Sequence, residues 1–86
     1  MEIEINNVNG MLITEIISEE IIIRKTQDAL NILAESGYRG SDNIILHEKN
    51  ILSDFFELRS GLAGDILQKF SNYKVRLAIV GDFTKY

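Results

Sequence analysis

The sequence has no cysteine, no proline and no tryptophan, and its only histidine is His47. Without cysteine there is no disulfide framework, thiolate metal site or thiol nucleophile, and one histidine cannot build a zinc site by itself. No apolar run is long enough to cross a membrane, and residues 1–4 are acidic and alternating, unlike a secretory signal. We therefore expect a cytoplasmic protein without a membrane segment, metal or cofactor.

A basic surface is also absent. The chain has 13 acidic residues against 9 lysines and arginines, a formal net charge of −4, and its only adjacent basic pair is Arg24-Lys25. Because proteins that neutralise nucleic-acid phosphates usually carry a basic face, we expect no nucleic-acid partner. The length of 86 residues, with 45% hydrophobic and 26% charged residues, is typical of one globular domain, residues 1–86.

Since proline is absent, turn formation falls to glycine, asparagine and aspartate. Asn9-Gly10 lies between two alternating apolar stretches and predicts a β-hairpin with a type I′ turn, because both residues tolerate positive φ. The apolar stretch 21–23 stays open between a short strand and a core plug. From Thr26 the apolar residues recur at helical spacing and predict a helix that ends at Gly37, a left-handed C-cap residue.

The second half of the chain predicts a βαβ unit. Residues 43–47 and 74–80 are short, almost continuously apolar runs, which favours parallel strands covered on both faces by helices. Between the two runs, apolar residues at helical spacing predict a second helix. Its stripe consists of Leu58, Leu62, Ala63, Ile66, Leu67 and Phe70.

Local signals divide this second helical region. Ser53 or Asp54 is expected to cap a first helical turn that contains Phe55, Phe56 and Leu58. Gly61 and Gly64 indicate either a break in the helix or its close packing on the sheet. The predicted element order is therefore β-β-α-β-α-β, an α/β fold with an N-terminal β-hairpin, a βαβ unit and a mixed sheet with helices.

Five stretches of the chain are similar to one known family: residues 27–30, 45–48, 53–56, 60–73 and 78–83. The chain resembles small bacterial proteins known only as domain of unknown function 4180. That family has no established activity, so the resemblance implies a bacterial source but no reaction. Its members continue with another helix and strand, which implies that this chain is a shortened version.

A second resemblance depends on Ser60-Gly61-Leu62-Ala63, which opens the second helix after an apolar strand. This motif and the element order resemble the domain shared by sulfate transporters and bacterial anti-sigma-factor antagonists. In the antagonists an Asp and a Ser or Thr precede Ser-Gly-Leu, and a partner kinase phosphorylates the residue whose position Ser60 occupies. This sequence has Leu58 and Arg59 at the two preceding positions. The resemblance implies a protein partner, either a kinase or a sigma-factor regulator.

The first candidate site consists of Ser60, Arg59 and Gly61. A phosphate on Ser60 would face unpaired N–H groups at the start of a helix, and Arg59 could add a charged hydrogen bond. The alternative is that Ser60 only caps the helix through its hydroxyl group.

The second candidate site consists of His47, Glu48 and Asp82, with Asp54 and Lys85 nearby in the pattern. His47 and Glu48 follow one predicted parallel strand and Asp82 follows the next, so they are expected to meet at the edge where open α/β sheets bind ligands. A histidine beside carboxylates could perform acid–base chemistry or hold a divalent metal together with water. The alternative is that these are ordinary polar residues at strand ends.

We therefore expect a non-enzymatic protein-interaction or regulatory domain that presents the start of the Ser60 helix and residues 48–56 to a partner. The alternative function is a small-ligand or enzymatic site at His47, Glu48 and Asp82. A homodimer is also expected, because a chain ending at this point lacks the cover that longer relatives supply to its last strand.

Overall fold

The computed structural model of the chain describes residues 1–81. The fold is α/β, with a mixed four-stranded sheet and two helices, as predicted. The strands are β1 (Glu2–Val8), β2 (Met11–Ile17), β3 (Asn43–His47) and β4 (Arg76–Val80), and the helices are α1 (Thr26–Tyr38) and α2 (Leu62–Asn72). Three short 3₁₀ turns, Glu48–Asn50, Ser53–Phe56 and Leu58–Ser60, connect β3 to α2.

The strand order follows the chain order, β1-β2-β3-β4. β1 and β2 are antiparallel, whereas β2–β3 and β3–β4 are parallel. The turn between β1 and β2 has φ values of +52° at Asn9 and +84° at Gly10, so the predicted hairpin is confirmed. The side-chain oxygen of Asn7 accepts a hydrogen bond from the N–H of Gly10 and holds the turn closed.

The core lies on one face of the sheet, beneath both helices. In β3 the burial alternates, with Ile44 and Leu46 buried and Ile45 between them only half-buried. Both crossover connections step in the same direction across the sheet, and right-handed crossovers of that kind place their helices on the same face. The buried apolar core consists of Ile16, Ile23, Ala29, Ile32, Leu33, Ile44, Leu46, Ile51, Phe55, Ile66 and Phe70.

No helix within residues 1–81 covers the opposite face of the sheet, which is called the open face below. The expectation that the parallel strands are covered on both faces is therefore wrong for the described part of the chain. The open face carries Glu2, Glu4, Asn6, Ile13, Glu15, Ile17, Asn43, Ile45, His47, Arg76, Ala78 and Val80.

Helix α1 ends later than predicted. Gly37 is an ordinary helical residue, and the left-handed residue is Gly40, with φ +79°. The N–H of Gly40 donates to the carbonyl of Gly37, and the N–H of Ser41 donates to the carbonyl of Ser36. The helix continues through Gly37 to Tyr38, and the left-handed reversal falls at the next glycine, Gly40.

Helix α2 starts later than the apolar stripe predicted. Gly61 is left-handed, with φ +72°, and occupies the N-cap position, which confirms the break expected there. Gly64 is inside the helix with open space around it, so close packing does not explain it. Ser53 and Asp54 form a 3₁₀ turn as expected, but the N-cap of that turn is Leu52 and no side chain caps it.

Two further features complete the fold. Ile23, left unassigned from the sequence, is buried and forms an isolated parallel bridge with Ile51. The last strand begins at Arg76 rather than at residue 74, because Lys74 has a left-handed backbone with φ +57°. Neither helix in residues 1–81 combines the length and the apolar character needed to cross a membrane.

Candidate functional site

The Leu58 loop, residues 57–61, leads into α2 and is held by the Ser60 side chain. Ser60 Oγ lies 2.5 Å from the carbonyl oxygen of Asp54 and 2.9 Å from that of Glu57. It also accepts a hydrogen bond from the N–H of Leu62 at 3.2 Å. Since a hydroxyl group has one hydrogen, the two carbonyls share it. The hydroxyl thus ties the loop both to the preceding turn and to the start of α2.

The side chains of the Leu58 loop face solvent. Leu58 is 99% exposed, and Arg59, Ser60 and Gly61 are exposed as well. The sequence placed Leu58 on the buried stripe of α2, and that prediction is wrong because the helix begins only at Leu62. Gly61 was the sequence signal for this late start, because a left-handed residue ends the helical geometry and the residues before it no longer share a face with α2.

His47 has a partner that the sequence did not reveal. Its Nε2 atom lies 2.6 Å from Oε2 of Glu15, on the neighbouring parallel strand. Both side chains are partly exposed, 29% for His47 and 26% for Glu15. Beside the pair is a concavity of about 260 Å³ whose lining also includes Ser18 and Lys49.

Glu48 stands apart from that concavity. It begins the 3₁₀ turn that follows β3, and its Cβ lies directly against Gly81, so the ends of β3 and β4 do meet at one edge of the sheet. The concavity beside His47 is not lined by Glu48. Asp82 and Lys85, the remaining members of the predicted cluster, lie outside the described residues.

Metal chemistry has no evident ligand set in the described part of the chain. Among residues 1–81, no group of three or more histidine, cysteine, aspartate or glutamate side chains is arranged to hold a metal ion. Asp54, which the sequence pattern grouped with His47, is exposed and lies in the turn Ser53–Phe56. Its backbone carbonyl accepts a hydrogen bond from the Ser60 hydroxyl.

Asn50 organises the segment between β2 and α1, a role that no sequence pattern indicates. The side chain is fully buried, and its Nδ2 donates to the carbonyls of Ser18 at 2.7 Å and Glu20 at 2.8 Å. Its backbone carbonyl accepts from the N–H groups of Ile22 and Ile23. One residue thereby satisfies four backbone groups of an irregular segment, which fixes the end of β2 beside His47.

The comparisons with known proteins give one match. A family model described as "Domain of unknown function (DUF4180)" matches residues 8–86, as the resemblance predicted. No curated protein and no solved structure matches the chain.

Proposed function

We propose that this chain, which belongs to the DUF4180 family of domains of unknown function, is a bacterial, cytoplasmic and non-enzymatic protein-interaction domain. The Leu58 loop is its docking surface. The single observation that carries the proposal is that Leu58 is 99% exposed on a loop whose backbone is fixed by the Ser60 hydroxyl.

A fixed, exposed leucine suits a protein partner with an apolar pocket. Full burial of a leucine side chain contributes about 1.5–3 kcal/mol, enough to matter in a modest interface. Because Ser60 already orders the loop, little conformational entropy is lost when a partner binds. Arg59, adjacent and exposed, favours a partner with a carboxylate beside that pocket.

Phosphorylation of Ser60 would act as the switch of this docking surface. A phosphorylated oxygen has no hydrogen to donate, so the contacts with the carbonyls of Asp54 and Glu57 would become repulsive. The loop would then lose the support that presents Leu58. The position matches the hydroxyl that a kinase modifies in anti-sigma-factor antagonists, and we include a kinase or sigma-factor regulator among the partners that this proposal predicts.

The docking surface is tested by affinity capture with the full chain as bait in a lysate of its source organism, followed by binding measurements on the protein captured. Leu58→Ser is expected to weaken binding about tenfold or more while leaving the unfolding midpoint unchanged, because Leu58 is already in water. Leu67→Ser is the matched control, since Leu67 is 48% exposed on α2 outside the loop. Equal binding by the two variants would remove the Leu58 loop from consideration.

The switch is tested on the same partner. Ser60→Asp, which cannot donate a hydrogen bond and adds a negative charge, is expected to weaken binding, and Arg59→Glu should do the same. Ser60→Thr keeps the hydroxyl and is expected to bind normally. Phosphosite mapping of the protein from its native host supplies the direct readout, and an unmodified Ser60 together with normal binding by Ser60→Asp contradicts the switch.

A second candidate function is a small-ligand or enzymatic site centred on His47, the one member of the predicted group His47, Glu48 and Asp82 that lines a concavity among the described residues. The observation that favours it is the 2.6 Å contact between His47 and Glu15, which orients the imidazole beside a concavity of about 260 Å³. A fragment screen by chemical-shift perturbation separates it from the docking proposal. Shifts clustered at His47 and lost in His47→Ala would favour a ligand site, whereas shifts confined to the Leu58 loop would not.

A further inference from the structure

The open face of the sheet carries an apolar centre that the described residues leave uncovered. Ile13, Ile17 and Ile45 are half-buried, Ala78 is exposed, and Val80 is 50% exposed. A concavity of about 220 Å³ runs between Ile13, Ile45 and Ala78. Parallel strands with apolar residues on both faces are normally covered on both faces, and here β3 and β4 are covered on one.

A partner could exclude water from the middle of this face without burying an unpaired charge. On the two central strands, β2 and β3, the ionisable side chains of the open face are Glu15 and His47, and they bond to each other at 2.6 Å. A buried ionisable group without a partner would cost several kcal/mol, whereas a hydrogen-bonded pair avoids most of that cost.

The two edges of the open face carry opposite charges. On β1, Glu4 is the direct partner of Glu15 in the register, and Glu2 is the partner of Ile17. On β4, Arg76 is the partner of Asn43. Within residues 1–81, neither Glu2, Glu4 nor Arg76 forms an ion pair. The face is therefore acidic along one edge, basic at the other, and uncharged or paired between them.

We infer that a second copy of this chain covers the open face, related to the first by a two-fold axis parallel to the strands. That axis places β1 of each copy over β4 of the other, so that Arg76 lies opposite Asn6 and one row from Glu4 of the second copy. A two-fold axis perpendicular to the strands would instead place β1 on β1 and set glutamates against glutamates. Charge thus selects the first orientation.

The size of the face fits a weak dimer. With strands about 4.8 Å apart and a rise of about 3.3 Å per residue, the footprint is roughly 19 × 17 Å, so two copies would cover about 650 Å² of sheet in total. This is less than the roughly 1,000 Å² of a stable interface, so the dimer should form only at high concentration and dissociate on dilution. The inference uses no residue of the Leu58 loop and stands apart from the docking proposal.

Sedimentation velocity of the full chain, from dilute to millimolar concentration, tests the inference. A concentration-dependent dimer is expected, and Ala78→Glu should raise its dissociation constant by about tenfold or more, because it places a charge in the apolar centre. Ala78 is exposed in the monomer, so the substitution leaves the core alone, and circular dichroism checks that the variant is folded. A chain that stays monomeric at millimolar concentration overturns the inference.

Charge exchange tests the orientation of the two copies. Arg76→Glu is expected to weaken the dimer, and the double variant Glu4→Arg/Arg76→Glu should restore it, because the opposite charges then meet again with exchanged positions. Arg24→Glu makes the same change in net charge at an exposed site off the sheet and should leave the dimer intact. Failure of the double variant to recover dimerisation, with both variants folded, overturns the proposed axis.

Discussion

Nε2 of His47 and Oε2 of Glu15 lie 2.6 Å apart on neighbouring parallel strands, 32 residues apart in sequence. The contact belongs to the side of the sheet away from the helices, so it joins two strands without entering the apolar core. It gives the open face a fixed polar point between isoleucine side chains. The stability of the isolated chain should depend on it only modestly, because both side chains keep contact with water.

A double-mutant cycle measures the coupling between these two side chains. Glu15→Gln and His47→Gln are each expected to destabilise the chain slightly, and the coupling free energy should be about 0.5–1 kcal/mol, the upper part of the range for partly exposed pairs. Urea unfolding of the four proteins gives the value. Additive effects of the two substitutions would mean that the contact contributes nothing to stability.

Gly81 should tolerate no side chain. A β-carbon at this position would lie 2.4 Å from Cβ of Glu48, which is too short for any pair of carbon atoms, so β4 or the turn after β3 must shift. Gly81→Ala is expected to cost about 1–3 kcal/mol, the usual range for overpacking. Gly64→Ala is the matched control, since Gly64 is helical and has nothing within 4 Å, and it should stabilise by up to about 1 kcal/mol. Similar unfolding midpoints for the two variants would contradict the close contact.

The end of α1 makes another paired prediction. Gly40 has φ +79°, and an L-residue in that conformation costs about 1–2 kcal/mol, so Gly40→Ala should destabilise the chain by that amount. Gly37→Ala should be neutral or stabilising, because Gly37 is helical with open space around it. Thermal unfolding separates the two variants. The reverse order would restore Gly37 as the residue that ends the helix.

The parts of the fold that the sequence predicted well are those set by local chemistry. A type I′ turn requires positive φ at both central residues, which asparagine and glycine tolerate best. The turn is found at Asn9-Gly10, and both residues have positive φ. The element order followed from hydrophobic periodicity in the same way. Gly61 also marked a real break, since glycine adopts at little cost the left-handed backbone that the break requires.

The parts that the sequence missed depend on which elements face each other. An apolar run such as residues 43–47 is compatible with cover on one face or two, and only the direction of both crossovers decides. Glu15 pairs with His47 because β2 and β3 are neighbours in parallel register, which periodicity does not encode. The exposure of Leu58 depends similarly on a helix start four residues later than the apolar stripe.

Asn50 supplies the most specific test of the irregular segment between β2 and α1. Its Nδ2 donates to the carbonyls of Ser18 and Glu20, and within residues 1–81 its Oδ1 has no partner. Asn50→Asp replaces the donor by a carboxylate oxygen facing both carbonyls in a fully buried position, and should cost about 3–5 kcal/mol, as expected for an uncompensated buried charge. Asn50→Ala should cost less, about 1–3 kcal/mol, since it only leaves the carbonyls without donors. Asn31→Asp, an identical change at an exposed site on α1, should be close to neutral. Urea unfolding at neutral pH ranks the three variants, and an Asn50→Asp protein as stable as Asn31→Asp would mean that the Asn50 amide does not hold this segment.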